Sequence, residues 1–87
     1  MSYRIRFSRQ AEKDFELIKK SPLKTKAFAI LTILKTDPFQ PQFEELKENL
    51  RGNYSRRLNR QHRIVYKIDE KEKQITILRM WTHYEKL

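Results

Sequence analysis

Eighty-seven residues with 20 Lys+Arg against 11 Asp+Glu, a formal net charge of +9, leave room for one small and strongly basic domain. Leu, Ile, Val and Phe supply 23 of the 87 residues, above the share of about 20 % below which a highly charged chain stays disordered, so a core is expected. The absence of cysteine excludes a disulfide framework, an iron–sulfur cluster, a thiolate zinc site and a cysteine nucleophile, and His62 and His83 alone do not make a metal site.

From Tyr3 to Ser8 apolar and basic side chains alternate, which predicts a strand with Tyr3, Ile5 and Phe7 facing inward. Ser8 is placed to cap a helix over about Arg9–Lys20, in which Ala11, Phe15 and Ile18 recur at helical spacing. Ser21-Pro22 reads as a second helix start, followed by the apolar stripe Leu23, Ala27, Ile30, Leu31 and Leu34 and ended by Asp37-Pro38. Two helices joined by so short a link should form an antiparallel hairpin. Residues 38–53 carry no clear period; a helical turn is expected over Glu44–Leu50 and a chain reversal at Arg51-Gly52-Asn53. Three strands then follow, about Tyr54–Leu58, His62–Asp69 and Gln74–His83, the last two joined by the charged loop Glu70-Lys71-Glu72-Lys73. The pattern is that of an α+β domain: a first strand, a helical hairpin, and a three-stranded antiparallel meander, all strands in one sheet with the helices on one face.

A balance of +9 calls for a polyanionic partner, nucleic acid or an acidic protein segment. Arg51, Arg56, Arg57, Arg60 and Arg63 fall within thirteen residues that hold no acid. A solvated basic edge is one explanation. Phosphate recognition by planar guanidiniums is the sharper one, with Tyr54, Tyr66, Trp81 and Tyr84 interleaved as stacking surfaces or as core. In the middle strand Ile64, Tyr66 and Ile68 share one face while Arg63, Val65 and Lys67 share the other; in the last strand both faces are mixed and the alternation assigns nothing. RNA can be cut without a metal by a base that takes the 2′-hydroxyl proton, a cation on the phosphate and an acid for the departing 5′-oxygen. Composition alone does not select such a trio from the acids and arginines present.

A longer pattern does. Glu44-Glu45-Leu46-Lys47-Glu48-Asn49-Leu50-Arg51-Gly52-Asn53-Tyr54-Ser55-Arg56-Arg57-Leu58, then His62-Arg63-Ile64-Val65-Tyr66 and the closing His83-Tyr84, resembles the YoeB/Txe toxins of bacterial toxin–antitoxin pairs over nearly all of the second half. The resemblance implies a RelE-like, microbial-ribonuclease-type fold and a ribosome-dependent mRNA endonuclease silenced by a cognate, YefM/Axe-like antitoxin. It implies Glu44, Arg63, His83 and Tyr84 as catalytic residues, and Lys47 and Arg57 as phosphate contacts beside the basic residues Arg51, Arg56 and Arg60. No cofactor or metal is implied.

Two features depart from the family pattern. The glutamate is flanked by Phe43 and Glu45 where the family often has prolines, so Glu45 or Glu48 competes as the base and only motif register favours Glu44. The chain also continues past His83-Tyr84 with Glu85-Lys86-Leu87. Glu44 could instead pair with Lys47 or Lys86, and His62 is expected to order a strand start rather than react. A ParE-like inhibitor that binds a topoisomerase, and a plain RNA- or DNA-binding module, are the competing functions. Expected partners are the antitoxin, the ribosome and mRNA, operator DNA through the antitoxin complex, and a second copy of the chain. No apolar stretch has signal-peptide or membrane-spanning length, so a cytoplasmic address and no membrane are expected.

Overall fold

The computed structural model describes residues 2–39, 44–45, 53–59 and 62–82, with 44–45 and 81–82 given by backbone alone. Strand β1 (Arg4–Phe7) leads into helix α1 (Arg9–Lys19), and helix α2 (Lys24–Thr36) follows. Strands β2 (Glu44–Glu45), β3 (Asn53–Arg57), β4 (Arg63–Asp69) and β5 (Gln74–Thr82) complete the order. They form one five-stranded sheet, β1-β5-β4-β3-β2. β1 runs parallel to β5 and every other pair is antiparallel, so the first strand returns beside the last.

Ser8 caps α1 as its position predicts: extended at φ −67°, ψ 165°, its Oγ accepts the Ala11 amide at 3.0 Å. Ser21 does not cap α2. Its Oγ accepts from the Leu23 amide at 3.1 Å and its hydroxyl donates to the Ile18 carbonyl at 2.9 Å, so it closes the turn, and α2 begins three residues later than Ser21 with no side-chain cap. The Asp37 amide ends α2 on the Ile33 carbonyl at 2.7 Å.

α1 lies mainly on β5, with lighter contacts to β1 and α2. Ala11 and Ile18 of α1, and Ala27, Ile30 and Leu34 of α2, meet Ile64, Tyr66, Ile75 and Ile77 of the sheet in one apolar core. Phe7 stacks on Phe15 at 5.3 Å between ring centres, and Phe28 meets Phe15 edge-on at 5.5 Å. In the middle strand Ile64 and Tyr66 join this core as read, with Ile68 partly buried against it, but Arg63 and Val65 on the other face are buried too, so burial along the strand does not alternate. Glu44 and Glu45 pair with Ser55 and Tyr54 as a short edge strand, not as the expected helical turn; residues 46–50 lie outside the described residues. Among the described residues no helix is long and apolar enough to cross a membrane.

Candidate functional site

The registers of the last four strands decide which distant residues become neighbours. Glu44 lies opposite Ser55 across β2 and β3, Arg57 lies opposite Arg63 across β3 and β4, and Arg63 lies opposite Thr82 across β4 and β5. Ser55 and Arg63 are therefore diagonal neighbours, within reach of a long side chain. Arg63 Nη1 donates to Ser55 Oγ at 3.2 Å; the serine is fully buried and the arginine is 8 % exposed. A buried guanidinium is tolerated only with acceptors around it, and this hydroxyl is one of them. Facing it on β3, Arg57 is exposed. Two like charges directly opposed across a sheet cost stability, and that cost is offset when an anion such as a phosphate sits between them.

Beyond Tyr66 and Ile77 the β4–β5 ladder is irregular. Val65 faces Arg79 and Arg63 faces Thr82, so β5 carries two more residues than β4 between Ile77 and Thr82. These bulges explain why alternation in the last strand could not be read: the period of two resets twice within six residues. α1 holds this stretch. Ser8 donates through its amide to the Ile77 carbonyl and through Oγ to the Leu78 carbonyl, both at 2.9 Å. Asp14 Oδ2 accepts from Arg79 Nε at 2.9 Å and from the Met80 amide at 3.0 Å, while Oδ1 accepts from Gln10 Nε2 at 3.4 Å. Burial raises the Asp14 carboxyl pKa, but the hydrogen bonds from Arg79, Met80 and Gln10 and the guanidinium charge outweigh it, leaving the carboxyl below its ordinary 3.8.

Of the residues singled out from sequence, the sheet brings Glu44, Arg57 and Arg63 into one neighbourhood and ends β5 at Thr82, immediately before His83. His83, Tyr84, Lys47, Arg51 and Arg60 lie outside the described residues. Arg56 departs from the expected row of outward cations. It stands opposite Ile64, on the face that carries Tyr54 and Tyr66, and is only 5 % exposed. Its charge works against the burial that pushes the Tyr66 phenol above its usual range. Tyr66 is fully buried and stacked on Tyr54 at 6.0 Å, so it packs the sheet and offers no platform for a base. His62 lies in the β3–β4 connection, its carbonyl accepting the Leu58 amide at 2.8 Å and its amide donating to Asn59 Oδ1 at 2.7 Å, as expected of a residue that orders a strand start. Ser55 was missed because a lone serine in an arginine run carries no signal of its own. Asp14 was missed because a helical aspartate normally reads as a solvated face.

Comparison with known proteins bears on the family and the fold. A family model, YoeB-like toxin of bacterial type II toxin-antitoxin system, matches residues 7–84. A Toxin YoeB from Synechocystis sp. is 38 % identical over 77 residues, covering 86 % of this chain and 80 % of that protein. Among solved structures, the YoeB-YefM complex from Staphylococcus aureus holds a chain 31 % identical at a TM-score of 0.78, with 97 % of this chain and 100 % of that one covered. The YoeB dimer from the same organism is 32 % identical with the same TM-score and coverage. A YoeB/ParE toxin from Agrobacterium tumefaciens shares the fold at a TM-score of 0.85 and 22 % identity, over 93 % of this chain and 99 % of that one. The chain belongs to the YoeB-like toxins of bacterial type II toxin–antitoxin systems.

Proposed function

We propose that this toxin is a ribosome-dependent mRNA endoribonuclease that cuts mRNA in the ribosomal A site by attack of the 2′-hydroxyl on the neighbouring phosphate. The observation that carries the reading is the sheet register: Glu44 opposite Ser55, Ser55 bonded to Arg63, and Arg63 opposite the residue that precedes His83. In this reading Glu44 takes the 2′-hydroxyl proton, Arg63 balances the charge that builds on the scissile phosphate, and His83 protonates the departing 5′-oxygen. Tyr84 orients the substrate or bonds its phosphate. Lys47, Arg51, Arg57 and Arg60 hold the RNA backbone, and Arg56 supports that surface from beneath. The side chains fill every role, so the reaction needs no metal. It leaves a 2′,3′-cyclic phosphate.

The toxin acts in the cytoplasm, where a YefM/Axe-like antitoxin neutralises it; the Staphylococcus aureus relative supports this, having been solved in complex with YefM and as a dimer. Operator DNA is reached through the toxin–antitoxin complex, and the 1–87 chain acts as a single toxin domain. The test is to map mRNA ends after incubating the protein with translating ribosomes. New cuts near the A site with cyclic phosphate ends are expected, and none should form where the 2′-hydroxyl at the cut site is replaced by hydrogen. Glu44→Gln and His83→Gln should each slow cleavage by about 10²–10⁴, and Arg63→Gln by about 10²–10³. Intact mRNA with blocked DNA supercoiling would point to a topoisomerase inhibitor, and efficient cutting of 2′-deoxy substrate would overturn the chemistry.

A further inference from the structure

We infer that Asp14, in α1 and remote in sequence from the proposed catalytic residues, is a positioning residue: by holding the bulged end of β5 it sets which residue of that strand stands beside Arg63. The inference rests on the proposed cleavage reaction for its consequence, but its structural part stands on register. An unbroken ladder continued from Tyr66 and Ile77 would place Met80 opposite Arg63. The two extra residues place Thr82 there instead. At about 3.3 Å per residue, they draw the start of the segment carrying His83 back toward Arg63 by about 6–7 Å along the strand. Without them β5 would pass Arg63 at Met80, and Thr82 would stand two residues beyond it.

A bulge removes backbone groups from the ladder, and something must satisfy them. Asp14 Oδ2 does so for the Met80 amide and binds Arg79 Nε with the same oxygen. Asp14 is only 3 % exposed. Burying an ion pair here is not the easiest way to pack α1 on β5, since apolar residues in place of both Asp14 and Arg79 would often serve stability as well or better, whereas removal of one partner alone is costly. What an apolar side chain cannot do is accept the Met80 amide. Asp14 thus serves the geometry of β5 in a way that packing would not replace.

The experiment compares the whole wild-type chain with D14L and D14N on mRNA-programmed ribosomes, together with thermal melting and NMR contacts across β4 and β5. In D14L, kcat per folded molecule should fall by about 10- to 100-fold, as a misplaced catalytic group does, while KM for the programmed ribosome stays within about twofold. The melting temperature falls as well, because Arg79 loses its partner and the Met80 amide its acceptor, so rates are compared well below the melting point of each chain. Contacts between Arg63 and Thr82 should be lost. D14N keeps an oxygen for the Met80 amide but not the charge that binds Arg79, so its kcat should lie between the two. Wild-type kcat per folded molecule in D14L, or retained Arg63–Thr82 contacts, would overturn the inference. Should D14L fail to fold, D14N decides: a kcat per folded molecule lower by about threefold or more at unchanged KM supports the role, and wild-type kcat overturns it. If the wild-type chain leaves mRNA intact, it is the cleavage reading that fails. The Arg63–Thr82 contacts then still report whether Asp14 sets the register.

Discussion

Two buried polar contacts show how much single side chains determine here. Ser55 gives Arg63 a hydroxyl acceptor at 3.2 Å inside the sheet. Ser55→Ala removes that acceptor from a guanidinium with little access to water, an unmade buried hydrogen bond that costs about 1–3 kcal/mol. The expected outcome is a lower midpoint in urea and slower cleavage with unchanged ribosome affinity, because Arg63 loses its aim and not its charge; a Ser55→Ala chain with wild-type stability and rate would remove Ser55 from the site. Asp14 offers a different readout, pH. Its carboxyl is held below 3.8 in the folded chain, so the unfolded chain takes up the proton first as acid is added. The stability this group contributes is complete above the unfolded value of about 3.9 and disappears as pH falls through the lower folded value. Asp14→Asn should therefore flatten the loss of stability below about pH 4 and leave the slope near neutrality unchanged, which denaturation measured across pH 2–7 would check.

The first turn of α1 and the second half of β5 behave as one unit. Ser8 both accepts the Ala11 amide and donates to the Leu78 carbonyl, so it needs a lone pair and a proton at once. Aspartate is as good a helix cap as serine but has no proton to give when ionised. Ser8→Asp should therefore destabilise the chain, where at an ordinary cap it would be neutral, and Ser8→Ala, which loses both bonds, should cost about 2–3 kcal/mol. Equal urea midpoints for wild type and Ser8→Asp would show that the bond to Leu78 contributes nothing. The cap itself was legible in the sequence, as were β1, both helices and the two faces of β4, because each is written in the spacing of apolar residues such as Ala11 and Ile18 or Ile64 and Tyr66. The bulges of β5 were not. No glycine or proline marks them, and what stabilises them is a carboxylate some 65 residues earlier in the chain, a long-range bond without local periodicity. The short strand at Glu44 was missed for a related reason: two residues are too few to show alternation, and only pairing with Ser55 and Tyr54 defines them. The identity of the candidate site came from motif register, and its spatial assembly could come only from the ladders.

At the scale of the whole molecule, the proposed function has the net charge of +9 govern how the toxin meets the ribosome, with burial deciding which cations take part. Each cation that neutralises an RNA phosphate releases a counterion, so affinity falls as salt rises, with a slope that counts the contacts. Arg57 is exposed beside Arg63, whereas Arg56, its neighbour in sequence, is 5 % exposed on the opposite face of the sheet. The two adjacent arginines should then separate cleanly. Arg57→Gln should weaken ribosome association and reduce the slope of log affinity against log salt by about 1, as removal of one phosphate contact does. Arg56→Gln should leave that slope unchanged and lower the melting temperature instead, since it takes a charge from beneath the sheet and none from the surface. Association measured between 50 and 200 mM salt for the three chains, about the range over which phosphate contacts reveal themselves, provides the check. Equal slopes for wild type and Arg57→Gln would remove Arg57 from the RNA surface, and a reduced slope for Arg56→Gln would mean that Arg56 turns outward when the ribosome binds.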